Sequence, residues 1–428
     1  MTAFETRHPE TSRSGMIGVV PQGPWTELPA APRGRIHAVV ARRIFARAAA
    51  DVGIVIELPN GRIMGKRGGT NSPAPDRVVP VMRIHQPDQF FRRIGRDGLI
   101  GFGESYMAGE WDADDVASVL TPLAGRMSAL VPHVLQRARR WHDARQPASE
   151  TNDLHGAQSN ISRHYDLSND LFALFLDETM TYSSAIWPGI DEPLAAAQEH
   201  KIDRLLDLAG VRAGTRLLEI GTGWGELAVR AACRGAQVTT VTLSREQQAW
   251  AIRRARQSGV ADLVDVQLRD YRQVTGRYDA VVSVEMIEAV GVEFWPTYFA
   301  TIDRVLNPGG RAALQAITIE HQRLLATKGS YTWIHKYVFP GGIIPSLHAI
   351  RDVLAHHTRL RVSSATGYGL DYARTLHHWL DRFHANTAAV HALGFDERFT
   401  RMWKFYLAYC EAGFASGYLD VHQLVLER

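Results

Sequence analysis

The sequence predicts an α/β protein, a doubly wound, mostly parallel sheet in the C-terminal two-thirds preceded by a smaller N-terminal α+β domain. Three observations carry that expectation. From Gly214 onward, short apolar runs alternate with stretches of helical period, the pattern of successive βαβ units. The first of those runs ends in a glycine-rich turn, Glu219-Ile-Gly221-Thr-Gly223-Trp-Gly225, where the backbone can bend sharply and approach a ligand. The chain, at 428 residues, is long for one ordinary domain, and 45% hydrophobic with 22% charged residues suits a globular protein with sizeable cores.

Residues 1–33 mix prolines, glycines, Thr and Ser without a hydrophobic period and are expected to form a flexible leader. Glu5, Arg7, Glu10 and Arg13 interrupt any apolar core of a signal peptide. Arg33 to Ala50 has the apolar spacing of a helix, and Gly53 to Pro59 alternates like a strand before the turn signal Asn60-Gly61. Val78 to Ile84 is a second strand candidate. Helices are expected at Phe90 to Arg96 and Ala113 to Trp141, separated by the glycine-containing stretch Gly98 to Trp111. Residues 34–142 would thus form the small domain, and the polar stretch 143–160 a linker. In the remaining 161–428, strands are expected at Arg216 to Ile220, Gln237 to Leu243, Val264 to Leu268, Ala280 to Val284 and Arg311 to Ile317. Leu360 to Ser364 and Val421 to Leu426 would supply the last, partly antiparallel strands.

The formal net charge is only +3, but the arginines cluster: Arg33, Arg35, Arg42, Arg43 and Arg47, then Arg137, Arg139, Arg140 and Arg145. Solvated helix faces are the plain reading. Attraction to anionic lipid headgroups is the sharper one, at about 1 kcal/mol per basic side chain near the surface. No nucleic-acid motif accompanies the charge, so nucleic acid is not an expected partner. Cys233 and Cys410 lack metal-ligand or redox spacing; both are expected as small buried hydrophobes, and no metal site is expected. No run approaches the ~18 apolar residues of a membrane-spanning helix. A cytoplasmic protein is expected, at most touching the inner face of the membrane peripherally.

The glycine turn joins a strand to a helix, and ligands in open α/β sheets bind beyond the carboxyl ends of the strands. Glu219, on the strand, can accept hydrogen bonds in such a cleft and position charged groups. Taken alone, the turn could serve a dinucleotide or be only a tight turn. Its Glu-x-Gly-x-Gly-x-Gly spacing, with no acidic residue closing the second strand, favours S-adenosylmethionine (SAM) over NAD. That second strand ends Val241-Thr242-Leu243-Ser244-Arg-Glu-Gln247, where Ser244 and Gln247 have the spacing of a capping box. A cofactor role for Thr242 and Gln247 can stand beside it. The third strand ends at Asp270-Tyr271-Arg272, where a carboxylate and a ring could engage adenine, or simply form a turn.

Four segments carry a resemblance. Ser162-Arg-His-Tyr165 through Tyr182-Ser183-Ser184, Ser283-Val-Glu285-Met-Ile-Glu288-Ala289-Val-Gly, Trp333-Ile-His-Lys-Tyr337-Val-Phe-Pro-Gly-Gly, and the glycine turn are similar to the cyclopropane-fatty-acyl-phospholipid synthase (mycolic acid cyclopropane synthase) family. Gly103 to Trp111 is similar to its N-terminal domain. The resemblance implies a class I SAM-dependent methyltransferase, Rossmann-like, with Tyr182, Ser183, Glu219, Gly221, Gly223, Gly225, Thr242, Gln247, Asp270 and Tyr271 around the cofactor. It also implies methyl transfer to a cis double bond of an acyl chain in a phospholipid, leaving a carbocation that must lose a proton. The family's base is a bound bicarbonate, held by a Cys, a Glu, a His, an Ile backbone and a Tyr. Carried over, the Glu is Glu288, the Ile is Ile317 and the Tyr is Tyr372. The Cys is replaced by Ser184, the His by Gln315, and the usual His after the Glu by Ala289.

A cation beside an alkene needs a dry, apolar site. Tyr165, Phe172, Phe175, Trp187, Trp295, Phe299, Tyr337, Phe339, Trp379, Phe383 and Trp403 could line it, although plain core packing should claim most of them. Glu285 and Glu288 would share a face if their segment begins a helix. Glu-Met-Ile-Glu-Ala-Val-Gly with Gln-Ala-Ile-Thr most resembles the branch that makes 10-methylene-stearoyl lipid on the route to tuberculostearic acid. That branch implies an oleoyl phospholipid substrate and a separate reductase using NADPH and flavin; a homo-oligomer is compatible with it. A cyclopropane synthase, a small-molecule SAM methyltransferase and a non-catalytic lipid-binding protein are the alternatives.

Overall fold

A computed structural model describes residues 23–64, 79–126 and 168–428. In the N-terminal part, α1 (Arg35–Val52) leads into β1 (Val55–Glu57), β2 (Ile63–Met64) and β3 (Val81–Ile84), followed by α2 (Pro87–Met107), β4 (Trp111–Ala113) and α3 (Val116–Gly125). Its four strands form a sheet in the order β2-β1-β3-β4. The stretch expected to separate two helices is itself helical to Met107. The chain breaks the helix only at Gly98, at φ 55°, ψ −125°, because the apolar period on either side buries Phe90, Phe91, Phe102 and Tyr106 on one continuous core face. The expected helix from Ala113 is realised as α3; its remainder, the linker 143–160, Val78, Tyr165 and the second arginine cluster lie outside the described residues.

The C-terminal part runs α4 (Asn169–Ala173), α5 (Leu194–Leu208), β5 (Arg216–Ile220), α6 (Glu226–Cys233), β6 (Gln237–Thr242), α7 (Arg245–Gln257), β7 (Val264–Leu268), β8 (Tyr278–Val284), α8 (Trp295–Val305) and β9 (Leu306–Ile319). It continues with α9 (His321–Thr327), α10 (Trp333–Tyr337), α11 (Leu347–His357), β10 (Arg361–Gly367), α12 (Gly369–Ala385), α13 (Thr387–Ala392), α14 (Glu397–Ala415) and β11 (Leu419–Glu427). All seven expected strands form within a few residues of their expected bounds. They make one sheet, β10-β11-β9-β8-β5-β6-β7, parallel from β9 to β7, with β11 antiparallel to both neighbours. Chain order reverses between β5 and β8, so the loops after these two strands emerge side by side at the carboxyl edge, the place where such sheets bind ligands.

Gly225 caps α6 in the left-handed conformation, φ 87°, and a β-carbon there would lie 2.7 Å from that of Ala251 on α7. The third glycine of the turn therefore serves close helix packing.

One hydrophobic core runs through both parts of the chain. Phe102 of α2 stacks on Trp111 at 5.0 Å, and Phe405 of α14 meets Trp333 edge-on at 4.8 Å. A buried charge cluster reinforces the junction. The Arg93 guanidinium donates to Glu110 at 2.7 Å, and Glu104 accepts from Lys336 at 2.6 Å and from the Tyr337 hydroxyl at 2.9 Å. The leader is not structureless where it is described: Trp25 is buried against Phe399, ring centroids 4.9 Å apart, and the Thr26 carbonyl accepts from Arg398. The cysteine expectation also needs correction, since Cys233 ends α6 in an exposed position. Trp25→Ala should lower stability by about 3–5 kcal/mol, the range for truncating a buried Trp. A denaturation midpoint unchanged from the parent would contradict the anchoring role.

Candidate active site

A cavity of about 1580 Å³ opens at the carboxyl edge of the sheet and extends between α1, α2 and α3. It exceeds the roughly 300–1,000 Å³ of an ordinary small-molecule site. On the sheet side it is lined by Glu219, Gly221 and Gly223 from the turn after β5, by Thr242 and Gln247 after β6, and by Asp270 and Tyr271 after β7. Tyr182 and Ser183 close it from the preceding loop. Gly225 stands back from the cavity, for the packing reason given above.

The polar partners of these residues refine their expected roles. Ser244 caps α7 by accepting from the Gln247 amide, but the Gln247 side chain instead accepts from the Thr242 hydroxyl at 2.8 Å. The reciprocal half of a capping box is absent because Gln247 turns towards the cleft. Asp270 is held by Arg272 through its backbone N–H and guanidinium, so its carboxylate serves the turn while facing the cavity. The Tyr271 hydroxyl and Glu219 Oε2 are buried without a partner among the described residues. Buried polar atoms are seldom left unpaired, so these two call for a ligand carrying complementary polar groups. Burial pushes the Glu219 carboxyl up to about 8. A sulfonium nucleoside with an ammonium group and hydroxyls fits this set.

The second half of the site grows from β8. After Val284 the chain enters the left-handed region at Glu285, φ 52°, and the Glu285 amide donates to the Gln315 carbonyl at 2.7 Å. Such a conformation strains any residue other than glycine by about 1–3 kcal/mol and persists only where the surroundings enforce it. Here three donors do so. Glu285 Oε1 accepts from the Ser184 backbone N–H and from Gln315 Nε2, both at 2.9 Å, and Oε2 accepts from the Tyr372 hydroxyl at 2.8 Å. Glu288 follows in a single 3₁₀ turn, Ile287–Ala289, with Oε1 accepting from the Ile317 amide and Oε2 buried without a partner. The two carboxylates therefore approach each other because a strained residue precedes a short turn, and not because they share a helix face. Burial and the neighbouring Glu285 push Glu288 up to about 8; burial also raises Glu285, opposed by Gln315, Lys201, Ser184 and Tyr372.

These contacts correct the bicarbonate expectation. Ser184, Gln315 and Tyr372 give their hydrogen bonds to Glu285, and the Ile317 amide gives its own to Glu288. The donors assigned to a bound bicarbonate are thus satisfied by the chain's own carboxylates, and the group does not fit. The Ser184 hydroxyl points elsewhere, to the Ala185 carbonyl at 2.9 Å, so Ser184 acts through its backbone.

The aromatic lining is also revised. Phe172, Phe175, Trp379, Phe383 and Trp403 are core residues, Trp295 and Phe299 pack behind the sheet, and Trp187 stacks on His378. Of the rings named from the sequence and described, Phe339 lines the cavity; its far wall is mainly aliphatic, with Val40, Ile44, Ile94, Ile100, Leu120 and Leu123 beside the rings of Phe45 and Phe102. Sequence reasoning missed these side chains, whose signal was the inward stripe of α1 to α3. It also missed Lys201, a lone basic residue on the apolar face of α5.

A family profile described as mycolic acid cyclopropane synthetase matches residues 152–424. The tuberculostearic acid methyltransferase UfaA1 of Mycobacterium tuberculosis is 50% identical over 414 residues, 94% of this chain and 95% of that protein. The cyclopropane-fatty-acyl-phospholipid synthase of Escherichia coli is 35% identical over 355 residues, 81% of this chain and 87% of that one. Among solved structures, mycolic acid cyclopropane synthase CmaA1 complexed with SAH and CTAB superposes with a TM-score of 0.59 at 31% identity, covering 63% of this chain and 98% of that one. The fold is that of the class I SAM-dependent methyltransferases, shared also with coclaurine N-methyltransferase bound to SAH at a TM-score of 0.58. By sequence, sheet topology and the residues gathered at its cleft, the chain belongs to the mycolic acid cyclopropane synthetase family.

Proposed function

We propose that this protein methylates the cis double bond of oleoyl chains in phospholipids, using SAM and giving a 10-methylene-stearoyl group. The observation that carries the reading is the Glu285 carboxylate, clamped by three donors at the edge of a large apolar cavity that also contains the cofactor turn. When bound, SAM would supply an electrophilic methyl group, its S–CH3 bond breaking with the electron pair kept by sulfur so that S-adenosylhomocysteine leaves. The π electrons of the alkene form the new carbon–carbon bond, leaving a cation on the neighbouring carbon of the acyl chain. A hydride shift from the methylated carbon moves the cation onto that carbon. Glu285 then accepts a proton from the new methyl group, and that C–H pair becomes the exocyclic double bond. The aliphatic wall keeps water from trapping the cation. Glu288, held protonated by burial at neutral pH, leaves Glu285 as the ionised member of the pair.

The 50% identical tuberculostearic acid methyltransferase supports the methylene product over the cyclopropane, and a separate reductase using NADPH and flavin would then saturate it. Val40 and Leu99 both line the cavity and remain exposed, so an acyl chain can enter between α1 and α2. Exposed Ile36 and Val39 extend that apolar ridge, and exposed Arg33, Arg42, Arg43 and Arg47 surround it. This face suits peripheral contact with an anionic membrane from the cytoplasmic side. Among the described residues, no helix is long and apolar enough to cross a membrane.

Incubating the pure protein with SAM and oleoyl phosphatidylglycerol vesicles, followed by mass spectrometry of the fatty acids, tests the reaction. A one-carbon gain that hydrogenates to a branched chain is expected. A product resisting mild hydrogenation would establish a cyclopropane synthase instead, and no gain with SAM bound would overturn both. Glu285→Gln should reduce turnover by about 10²–10⁴-fold, the usual contribution of a general base, with SAM affinity retained; parent-like turnover would remove Glu285 from the mechanism. Ile36→Asp combined with Val39→Asp should weaken sedimentation with anionic vesicles at least several-fold. Equal binding would place the membrane contact elsewhere.

A further inference from the structure

Lys201 has no place in the chemistry described so far, yet it is fully buried beside it. It lies on the core face of α5 among Ala197, Ile202 and Leu205, one turn after Gln198, and its ammonium borders the cavity. Its one side-chain hydrogen bond among the described residues runs from Nζ to the Ser183 hydroxyl at 2.7 Å. A neutral amide could make that bond. Burying an ammonium instead carries an effective penalty of several kcal/mol, which only nearby negative charge offsets.

Burial lowers the Lys201 ammonium to about 8, and the charge that opposes this comes from three carboxylates on separate elements: Glu285 after β8, Asp177 after α4 and Glu219 on β5, with Glu285 the strongest of the three. The relation is reciprocal. The groups favouring ionised Glu285 are Gln315, Lys201, the Ser184 amide and the Tyr372 hydroxyl, and Lys201 alone among them carries a positive charge. The framework ties the two residues together. Gln423 Nε2 donates both to the Lys201 carbonyl and to Gln315 Oε1, each at 3.2 Å, and Gln315 donates to Glu285. Gln198 holds the Ser183 carbonyl at 2.9 Å, next to the Ser184 amide that caps Glu285.

We propose that Lys201 is the counter-charge that keeps Glu285 ionised in a water-excluded site, a positioning residue that acts through Glu285 and does not touch the substrate. The proposal rests on Glu285 being the base. A positive neighbour stabilises the carboxylate and so lowers the pH at which it loses its proton; removing the charge must move that pH upward. Glu288 is neutral when protonated, Glu219 and Asp177 can carry only negative charge, and burial raises Tyr372 well above its ordinary range, so none of these replaces the missing cation.

The test is the pH profile of kcat/KM for methylation of oleoyl phosphatidylglycerol vesicles by the full chain and its Lys201→Gln, Lys201→Arg and Glu285→Gln variants, with SAM affinity measured alongside. The acid limb should move up by about one pH unit or more in Lys201→Gln, a loss of about tenfold on that limb. In Lys201→Arg it should stay at the parent position even if kcat falls. A uniform loss in Lys201→Gln with the limb unmoved, or a change confined to SAM affinity, overturns the proposal. So does a limb displaced equally by Lys201→Arg, and that variant decides alone if Lys201→Gln does not fold. Parent-like turnover in Glu285→Gln would instead remove the base assignment on which the proposal stands.

Discussion

Much of this molecule is arranged around one buried carboxylate. Glu285 leaves the end of β8 in a conformation that side chains avoid, and it is kept there by a loop amide, a glutamine on β9 and a tyrosine on α12. Those three elements meet only because the sheet reverses its order between β5 and β8, while β11 and α12 close over β9. The strain at Glu285 is small beside the stabilisation of the whole fold, but it is local, and three charge-assisted hydrogen bonds of roughly 1.5–3 kcal/mol each suffice to hold it.

The same carboxylate sets the electrostatic problem of the cleft. Glu219, Glu285 and Glu288 face a largely apolar cavity, and burial pushes all three carboxyls upward. A site that must receive a cationic cofactor and stabilise a cationic acyl chain benefits from negative charge, while the empty cleft suffers from it. Protonation of Glu288 and the ammonium of Lys201 moderate that conflict. Binding a sulfonium cation adds positive charge beside Glu219 and Glu285 and favours their ionised forms.

The sheet was legible in the sequence because burial on both faces forces a continuous apolar run in a central strand such as β5, while the edge strand β7 shows itself by the alternation Val-Asp-Val-Gln-Leu; both fall at their expected residues. The cofactor turn was legible because glycines at a strand end have few other uses. Glu285 and Glu288 were found as a pair, but their geometry was not, because a positive φ at a glutamate leaves no trace in periodicity. Gln315 reads as a lost histidine in one dimension and as a clamp on Glu285 in three. Most of the aromatic residues went to the core, as expected, because large rings fill cores more often than they line cavities. The walls of the cavity came from α1 to α3, where ordinary aliphatic stripes cannot announce whether they face a core or an empty space. Trp25 was hidden by the polar, proline-rich stretch around it, and its burial against Phe399 together with the Arg398 bond to the Thr26 carbonyl shows that the segment is anchored.

The junction around Glu104 has a consequence for how the enzyme divides its labour. The turn and carboxylates that conduct the chemistry belong to the large sheet, whereas the remote wall of the lipid chamber belongs to helices that end well before that sheet begins. Glu104, Lys336 and Tyr337 lock those halves together, so the depth of the chamber is a property of neither alone. Selection on the length of the accommodated chain can therefore act on α1, α2 and α3 while the reacting groups stay untouched, provided that this one ionic clasp is preserved.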